Sequence, residues 1–150
     1  MKIPFAFVAI ALVGCSAGYK ITPTSVSLTG WNEGRGHYEW LIAGADPATF
    51  EVITGTYAKD RHHVYHEGNP IETADPDTFR PIRGQYWKDK AHVFLGEWML
   101  RGADPATFRV LETSQEWGLD ANDVYFGTTP IHVEDLGSFR VLRTHWAKDL

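Results

Sequence analysis

The chain has 150 residues, 43% hydrophobic and 13% aromatic, with 14 glycines, eight prolines and a single cysteine. That is enough for one turn-rich domain with its own core, and it excludes an internal disulfide. A formal net charge of −5 argues against nucleic-acid binding and against electrostatic docking on anionic lipid head groups.

Met1-Lys2 and the almost wholly apolar stretch Ile3 to Val13 come first. As a helix this stretch would cover about 17 Å, well short of the roughly 30 Å hydrocarbon core of a bilayer. Residues 1–14 therefore read as a secretion signal and not as a membrane span. The tetrapeptide Leu12-Val13-Gly14-Cys15 resembles a bacterial lipobox. The resemblance implies that Cys15 becomes the first residue of the processed chain and that its thiol carries acyl chains, several of which give effectively permanent membrane attachment. Loss of Lys2 with the signal takes the formal charge from −5 to −6. Ser16, in place of an Asp after the cysteine, resembles the sorting pattern for an outer membrane. The Ser-, Thr- and Gly-rich stretch up to Gly36 reads as a tether, so residues 15–36 are expected to form the lipidated cysteine and its linker, with Val26 and Leu28 packing on the first unit.

Residues 37–150 are repetitive. The phrases Ala45-Asp46-Pro47-Ala48-Thr49-Phe50, Ala74-Asp75-Pro76-Asp77-Thr78-Phe79 and Ala103-Asp104-Pro105-Ala106-Thr107-Phe108 recur every 29 residues, and Glu134-Asp135-Leu136-Gly137-Ser138-Phe139 follows after 31. A fixed period means that one supersecondary unit is copied and buries its apolar face on its neighbours. After each phrase, Glu51-Val52-Ile53, Arg80-Pro81-Ile82, Arg109-Val110-Leu111 and Arg140-Val141-Leu142 alternate as short strands do. Tyr57-Ala58-Lys59-Asp60, Tyr86-Trp87-Lys88-Asp89, Trp117-Gly118-Leu119-Asp120 and Trp146-Ala147-Lys148-Asp149 follow, and then Val64-Tyr65, Val93-Phe94 and Val124-Tyr125. These read as two strands of a hairpin. Gly68, Gly96 and Gly127 come next, where the chain can bend, before a third apolar point at Ile71, Leu100 or Ile131.

The expected fold is mainly β, with about four hairpin units. Asp46, Asp75, Asp104 and Asp135 are expected to be N-caps of one-turn helices, because Asp accepts backbone N–H groups and Pro at the first helical position gives up only a spare donor. Phe50, Phe79, Phe108 and Phe139, with Tyr65, Phe94 and Tyr125, are the expected repeat core. Pairing of residues 37–42 with 144–149 would close the array.

Lys59-Asp60-Arg61-His62-His63-Val64-Tyr65 and Lys88-Asp89-Lys90-Ala91-His92-Val93-Phe94 resemble the repeat of the DKNYYY family, in which Lys-Asp-Lys-Asn-x-Val-Tyr-Tyr copies alternate with Ala-Asp-Pro-x-Thr-Phe phrases. The resemblance spans roughly residues 37 to 149. It implies the repeated architecture and brings no enzymatic activity with it.

The densest group of reactive side chains is Asp60, His62, His63, His66 and Glu67. The four-residue spacing of His62 and His66 suits a zinc site on a helix, but on a strand such positions lie about 13 Å apart. No metal or other cofactor is expected. Catalytic groups normally occur once, in an asymmetric pocket, whereas the carboxylates here repeat with the scaffold. The expectation is therefore a non-enzymatic envelope lipoprotein, at an outer membrane and facing the periplasm, that binds another protein. Immunity against a toxin delivered to the periplasm is the sharpest version. A cell-wall or carbohydrate-binding module is the alternative, and a metal-dependent hydrolase ranks last. Exposed residues that differ between copies are the expected partner surface: Trp87, Trp98 and Arg101 above all, then Glu116, Arg143 and His145.

Overall fold

The computed structural model of the chain describes residues 18–111, 116–143 and 146–148, with side chains placed as far as Val141. The expected signal segment and Cys15 lie outside the described residues. All regular structure among the described residues is β.

The repeating unit is a four-stranded antiparallel meander. The first is β4 (Glu51–Val52), β5 (Tyr57–Lys59), β6 (Val64–His66) and β7 (Asn69–Pro70). The second is β8 (Arg80–Arg83), β9 (Tyr86–Lys88), β10 (Val93–Leu95) and β11 (Trp98–Met99). The third is β12 (Arg109–Val110), β13 (Trp117–Leu119), β14 (Val124–Phe126) and β15 (Thr129–Pro130). A fourth unit opens with β16 (Arg140–Arg143) and β17 (Trp146–Lys148). The expected hairpin is thus the centre of each meander. It is widened on one side by the Glu/Arg strand and on the other by a two-residue strand beyond the glycine turn. That turn needs glycine: Gly68, Gly96 and Gly127 have φ of +81°, +62° and +58°, a region in which a side chain is strained.

The units stack face to face. Along each central hairpin the side chains alternate between two faces, and both are buried. Tyr57 and Val64 pack forward with Ile71, Phe79, Trp87 and Phe94, while Ala58 and Tyr65 pack backward with Tyr19, Val26, Leu28 and Ile42. The pattern recurs one unit later, where Tyr86, Val93, Leu100 and Phe108 meet Tyr125, and again where Trp117 and Val124 meet Phe139. Phe50, Phe79, Phe108 and Phe139 accordingly sit at four equivalent interfaces. Their ring centroids lie 5.3 Å from Tyr19, 5.9 Å from Tyr57, 5.3 Å from Tyr86 and 5.5 Å from Trp117.

Three expectations are corrected. The Asp-Pro-x-Thr-Phe phrases form single turns and not helices. The Asp75 and Asp104 carbonyls accept the N–H of Phe79 and Phe108 at 3.0 and 2.9 Å, and the chain then passes straight into β8 and β12. One closed turn cannot offset the cost of helix nucleation when the next residue is already committed to a sheet.

Nor are residues 18–36 a tether. They form β1 (Gly18–Ile21) and β2 (Val26–Asn32), which pair with β3 (Gly36–Leu41) in one antiparallel sheet. This sheet is a divergent first copy of the unit. Tyr19 takes the place of Tyr57, and Ile42 donates its N–H to the Val26 carbonyl at 2.9 Å as Ile71 does to Val64 at 2.8 Å.

The third correction concerns the ends. Among the described residues β3 pairs only with β2 and β17 only with β16, in separate sheets, so these strands do not pair with each other to close the array. Thr144, His145 and Asp149 lie outside the described residues. The units cover one another by their faces, so the core is buried without pairing of strand edges at the two ends.

Candidate functional site

The repeated polar residues are bound up in the scaffold. Asp60 is buried at the end of β5, where its Oδ1 accepts the N–H groups of His62 and His63 at 2.7 and 2.8 Å. Its Oδ2 accepts the Asp46 N–H at 2.9 Å and the Tyr65 hydroxyl at 2.8 Å. Asp120 repeats the arrangement with Asn122, Asp123, Asp104 and Tyr125. Asp89 repeats it with Ala91, His92 and Asp75, and Phe94 supplies no hydroxyl. Each carboxylate thus staples the hairpin turn of its own unit to the Asp-Pro turn that precedes it. Burial by itself would raise the Asp60 carboxyl, but the three N–H groups and the phenol together hold it below its ordinary value.

The Asp-Pro turns are fixed from the other side. Asp46, Asp75, Asp104 and Asp135 accept the N–H two residues on, at 3.1, 2.9, 2.9 and 2.8 Å. Asp46 and Asp104 also take the hydroxyls of Thr49 and Thr107. Arg61 lies 2.7 Å from Asp46, and Lys90 is paired with Asp75. The lysine before each staple reaches the next unit: Lys59 Nζ donates to the Pro76 carbonyl at 3.2 Å and Lys88 Nζ to that of Pro105 at 2.6 Å. Lys and Asp of the repeated phrase therefore tie the array together along its length.

Between the second and third units lies an open cleft of about 540 Å³, lined by Gln85, Leu95, Trp98, Glu116, Phe126, Gly127, Thr128 and Thr129. Leu95 pairs with Trp98 across β10 and β11, and Phe126 with Thr129 across β14 and β15. The third strands therefore supply an apolar floor and the fourth strands supply the walls. Trp98 is 66% exposed. Behind the floor the Tyr86 hydroxyl donates to the carbonyls of Glu116 and Gly127 at 2.8 and 2.9 Å, and burial pushes this phenol up to about 12. An indole over an apolar floor, rimmed by an amide, hydroxyls and a carboxylate, suits a bound side chain or ring.

A family model built on the same repeat matches residues 19–98, more than half of the chain. The chain belongs to the DKNYY family. Neither the search of curated proteins nor that of solved structures gave a match. The DKNYY match begins at Tyr19 and not near residue 37, in agreement with a first copy built from β1, β2 and β3. It ends at Trp98, although the third unit repeats the same meander, core contacts and Asp staple.

Within this DKNYY array the expected partner residues separate. Trp98 and Glu116 line the cleft, and Arg101 is exposed in the turn after Leu100. Trp87 is corrected: it is 4% exposed and stacks on Phe79 at 5.1 Å and 7°. Its position is held by Ala58 and Gly118 in the neighbouring units, so the difference between copies is an exchange of core volume. The Arg143 side chain and His145 lie outside the described residues. His62 is exposed, His63 is half-buried, and the His66 ring packs on Tyr57 at 4.6 Å. Among the described residues no group of three or more His, Cys, Asp or Glu side chains could hold a metal ion.

Two features went unread in the sequence. The burial of Asp60, Asp89 and Asp120 was one, although an Asp at the same place in every copy was its signal. The other is the pairing of Asp123 with His132: Oδ2 of Asp123 lies 2.5 Å from His132 Nδ1, and its Oδ1 accepts the N–H groups of Val124 and His132, both at 2.8 Å. This pair clamps the turn in which His132 takes a φ of +55°. Asp123 stands where His63 and His92 stand, just before the repeated Val, which marks it as a turn residue, but the spacing does not mark its partner nine residues on.

Proposed function

We propose that this DKNYY protein is a non-enzymatic envelope protein, held by acyl chains on Cys15 at an outer membrane and facing the periplasm, whose repeat array binds another protein. The observation that carries the reading is the Trp98 cleft: an exposed indole on an apolar floor in a groove between the second and third units. Exposed tryptophan beside a polar rim is the usual anchor of a protein interface. The repeated carboxylates, by contrast, are engaged with backbone N–H groups. Neutralisation of a toxin delivered into the periplasm is the most specific form of the proposal, and the small size and acidic charge of the chain suit it.

Pull-down from envelope extracts with the wild-type chain and with Trp98→Ala tests the partner. The wild type should retain a protein that the variant loses, with the urea midpoint unchanged. Recovery of no protein, with binding of cell-wall sugar instead, would favour a carbohydrate-binding module. Labelling with radioactive palmitate, lost in Cys15→Ser, tests the anchor.

A further inference from the structure

Four of the seven large apolar side chains exposed among the described residues lie in the three-stranded sheet β1–β3: Ile21, Trp31, Trp40 and Leu41. The stack does not need them. Sixteen residues separate Val26 from Ile42, where seven separate Val64 from Ile71, and the added length is the outer part of the β2–β3 hairpin. We propose that this sheet rests in the interfacial layer of the bilayer that holds Cys15, with Trp31 and Trp40 as its interfacial anchors. This rests on the acylation of Cys15 proposed above.

Three observations point to a bilayer. The first is reach. Gly18 faces Thr29 and Ile21 faces Val26, so the N-terminal end of β1 points toward the hairpin tip at Asn32–Gly36, where Trp31 lies. Three residues from Cys15 to Gly18 span at most about 10 Å. The acylated residue therefore holds that end of the sheet at the membrane surface.

The second is charge. Lys20, Glu33, Arg35 and Glu39 sum to zero, and Lys20 is paired with Glu39 at 2.9 Å. The processed chain carries −6, the whole-chain −5 less Lys2, and all of this excess lies outside the sheet. Repulsion from anionic lipid acts on the repeat body and leaves this end free to approach.

The third is that the apolar groups occupy both faces. Ile21 and Trp40 share the face whose Tyr19, Val26 and Leu28 pack on the first meander, while Trp31 and Leu41 share the opposite face. A protein partner seated on that opposite face would leave Trp40 and Ile21 uncovered, whereas a head-group layer around the hairpin reaches exposed groups on either side. Trp and Tyr rings favour that layer because their bodies are apolar and their N–H or O–H stays wet. Tyr38 adds a third ring, folded across Gly30, where a Cβ would meet its hydroxyl at 2.3 Å.

The test couples the sole thiol, Cys15, of the processed chain to a maleimide-bearing lipid in vesicles of phosphatidylethanolamine and phosphatidylglycerol. Tryptophan quenching by brominated acyl chains is then read. Trp31→Phe/Trp40→Phe should lose most of the quenching shown by the wild type, and Trp98→Phe should keep it, all three with the same urea midpoint. Absence of quenching in the coupled wild type, or equal quenching in the double variant, would overturn the docking. Because the coupling supplies the tether, palmitate labelling in cells decides the anchor separately, and its absence would overturn the anchor alone.

Discussion

Replacing Asp60 by Ala removes the acceptor of four hydrogen bonds: the N–H groups of Asp46, His62 and His63 and the hydroxyl of Tyr65. Bonds to a charged acceptor contribute about 1.5–3 kcal/mol each, and a buried donor left unpaired costs a further 1–3 kcal/mol. Water can reach the exposed turn at His62 and recover part of this, so the net loss should be about 3–5 kcal/mol, the range for breaking one side of a buried charged network. Asp89→Ala is the internal control, because Phe94 leaves that carboxylate three such bonds. It should cost about 1 kcal/mol less than Asp60→Ala. Asp60→Asn should fall between wild type and Ala. Its carbonyl can still serve His62 and His63, but its amide N–H would face the Asp46 N–H. Urea unfolding followed by tryptophan fluorescence measures all three. A loss below about 1 kcal/mol for Asp60→Ala, the size of an ordinary point mutation, or a larger loss at Asp89, would refute the staple.

Gly118→Ala should destabilise by about 1–3 kcal/mol through overpacking, since the new Cβ would sit 2.2 Å from Phe108 Cζ. A Tm equal to the wild type would contradict the packing. Acid should weaken the fold. The Asp46 carboxyl is lowered by the Thr49 hydroxyl, that of Asp75 by Lys90, that of Asp104 by the Thr107 hydroxyl and that of Asp60 by its staple bonds against burial. With folded values below the unfolded ones, these groups contribute stability in full above the ordinary carboxyl range and lose it as the pH falls through the folded values. The urea midpoint should therefore hold from pH 7 to 5 and drop steeply below 4; a flat profile down to pH 2 would contradict the assignment. Tyr19→Ala should cost about 3–5 kcal/mol, as for other buried aromatics, because its ring packs on Phe50 and its hydroxyl donates to the Thr56 carbonyl and accepts the Gly68 N–H. A cost within experimental error would remove the first copy from the stack.

The period of 29 made the stack legible, because a phenylalanine, a valine and a glycine recurring in register must fill the same slots in each copy. Where the register breaks, the sequence misleads. No Asp-Pro-x-Thr-Phe phrase precedes Tyr19, and the lengthened β2–β3 hairpin moves Ile42 out of phase, so a folded unit reads as a polar tether. Trp87 reads as surface because its counterparts are Ala58 and Gly118. In three dimensions the Phe79 ring stacks on the indole and the Phe108 ring fills the space above Gly118. The Asp-Pro phrase carries a true turn signal, yet the strand that follows decides how far the turn extends. The Trp98 cleft is a product of stacking two units and lies beyond the reach of spacing within either one.

The central claim is that one meander is stacked face to face from Tyr19 onward, with its repeated polar groups spent on the scaffold. Solution NMR tests it most directly. Ring-to-ring NOEs should link Tyr19 to Phe50, Tyr57 to Trp87 and Tyr86 to Phe108, with centroids 5.3, 4.2 and 5.3 Å apart, and the amides of His62 and His63 should exchange slowly. Missing inter-unit NOEs, with fast exchange at residues 19–28 and at the Asp60 turn, would contradict it.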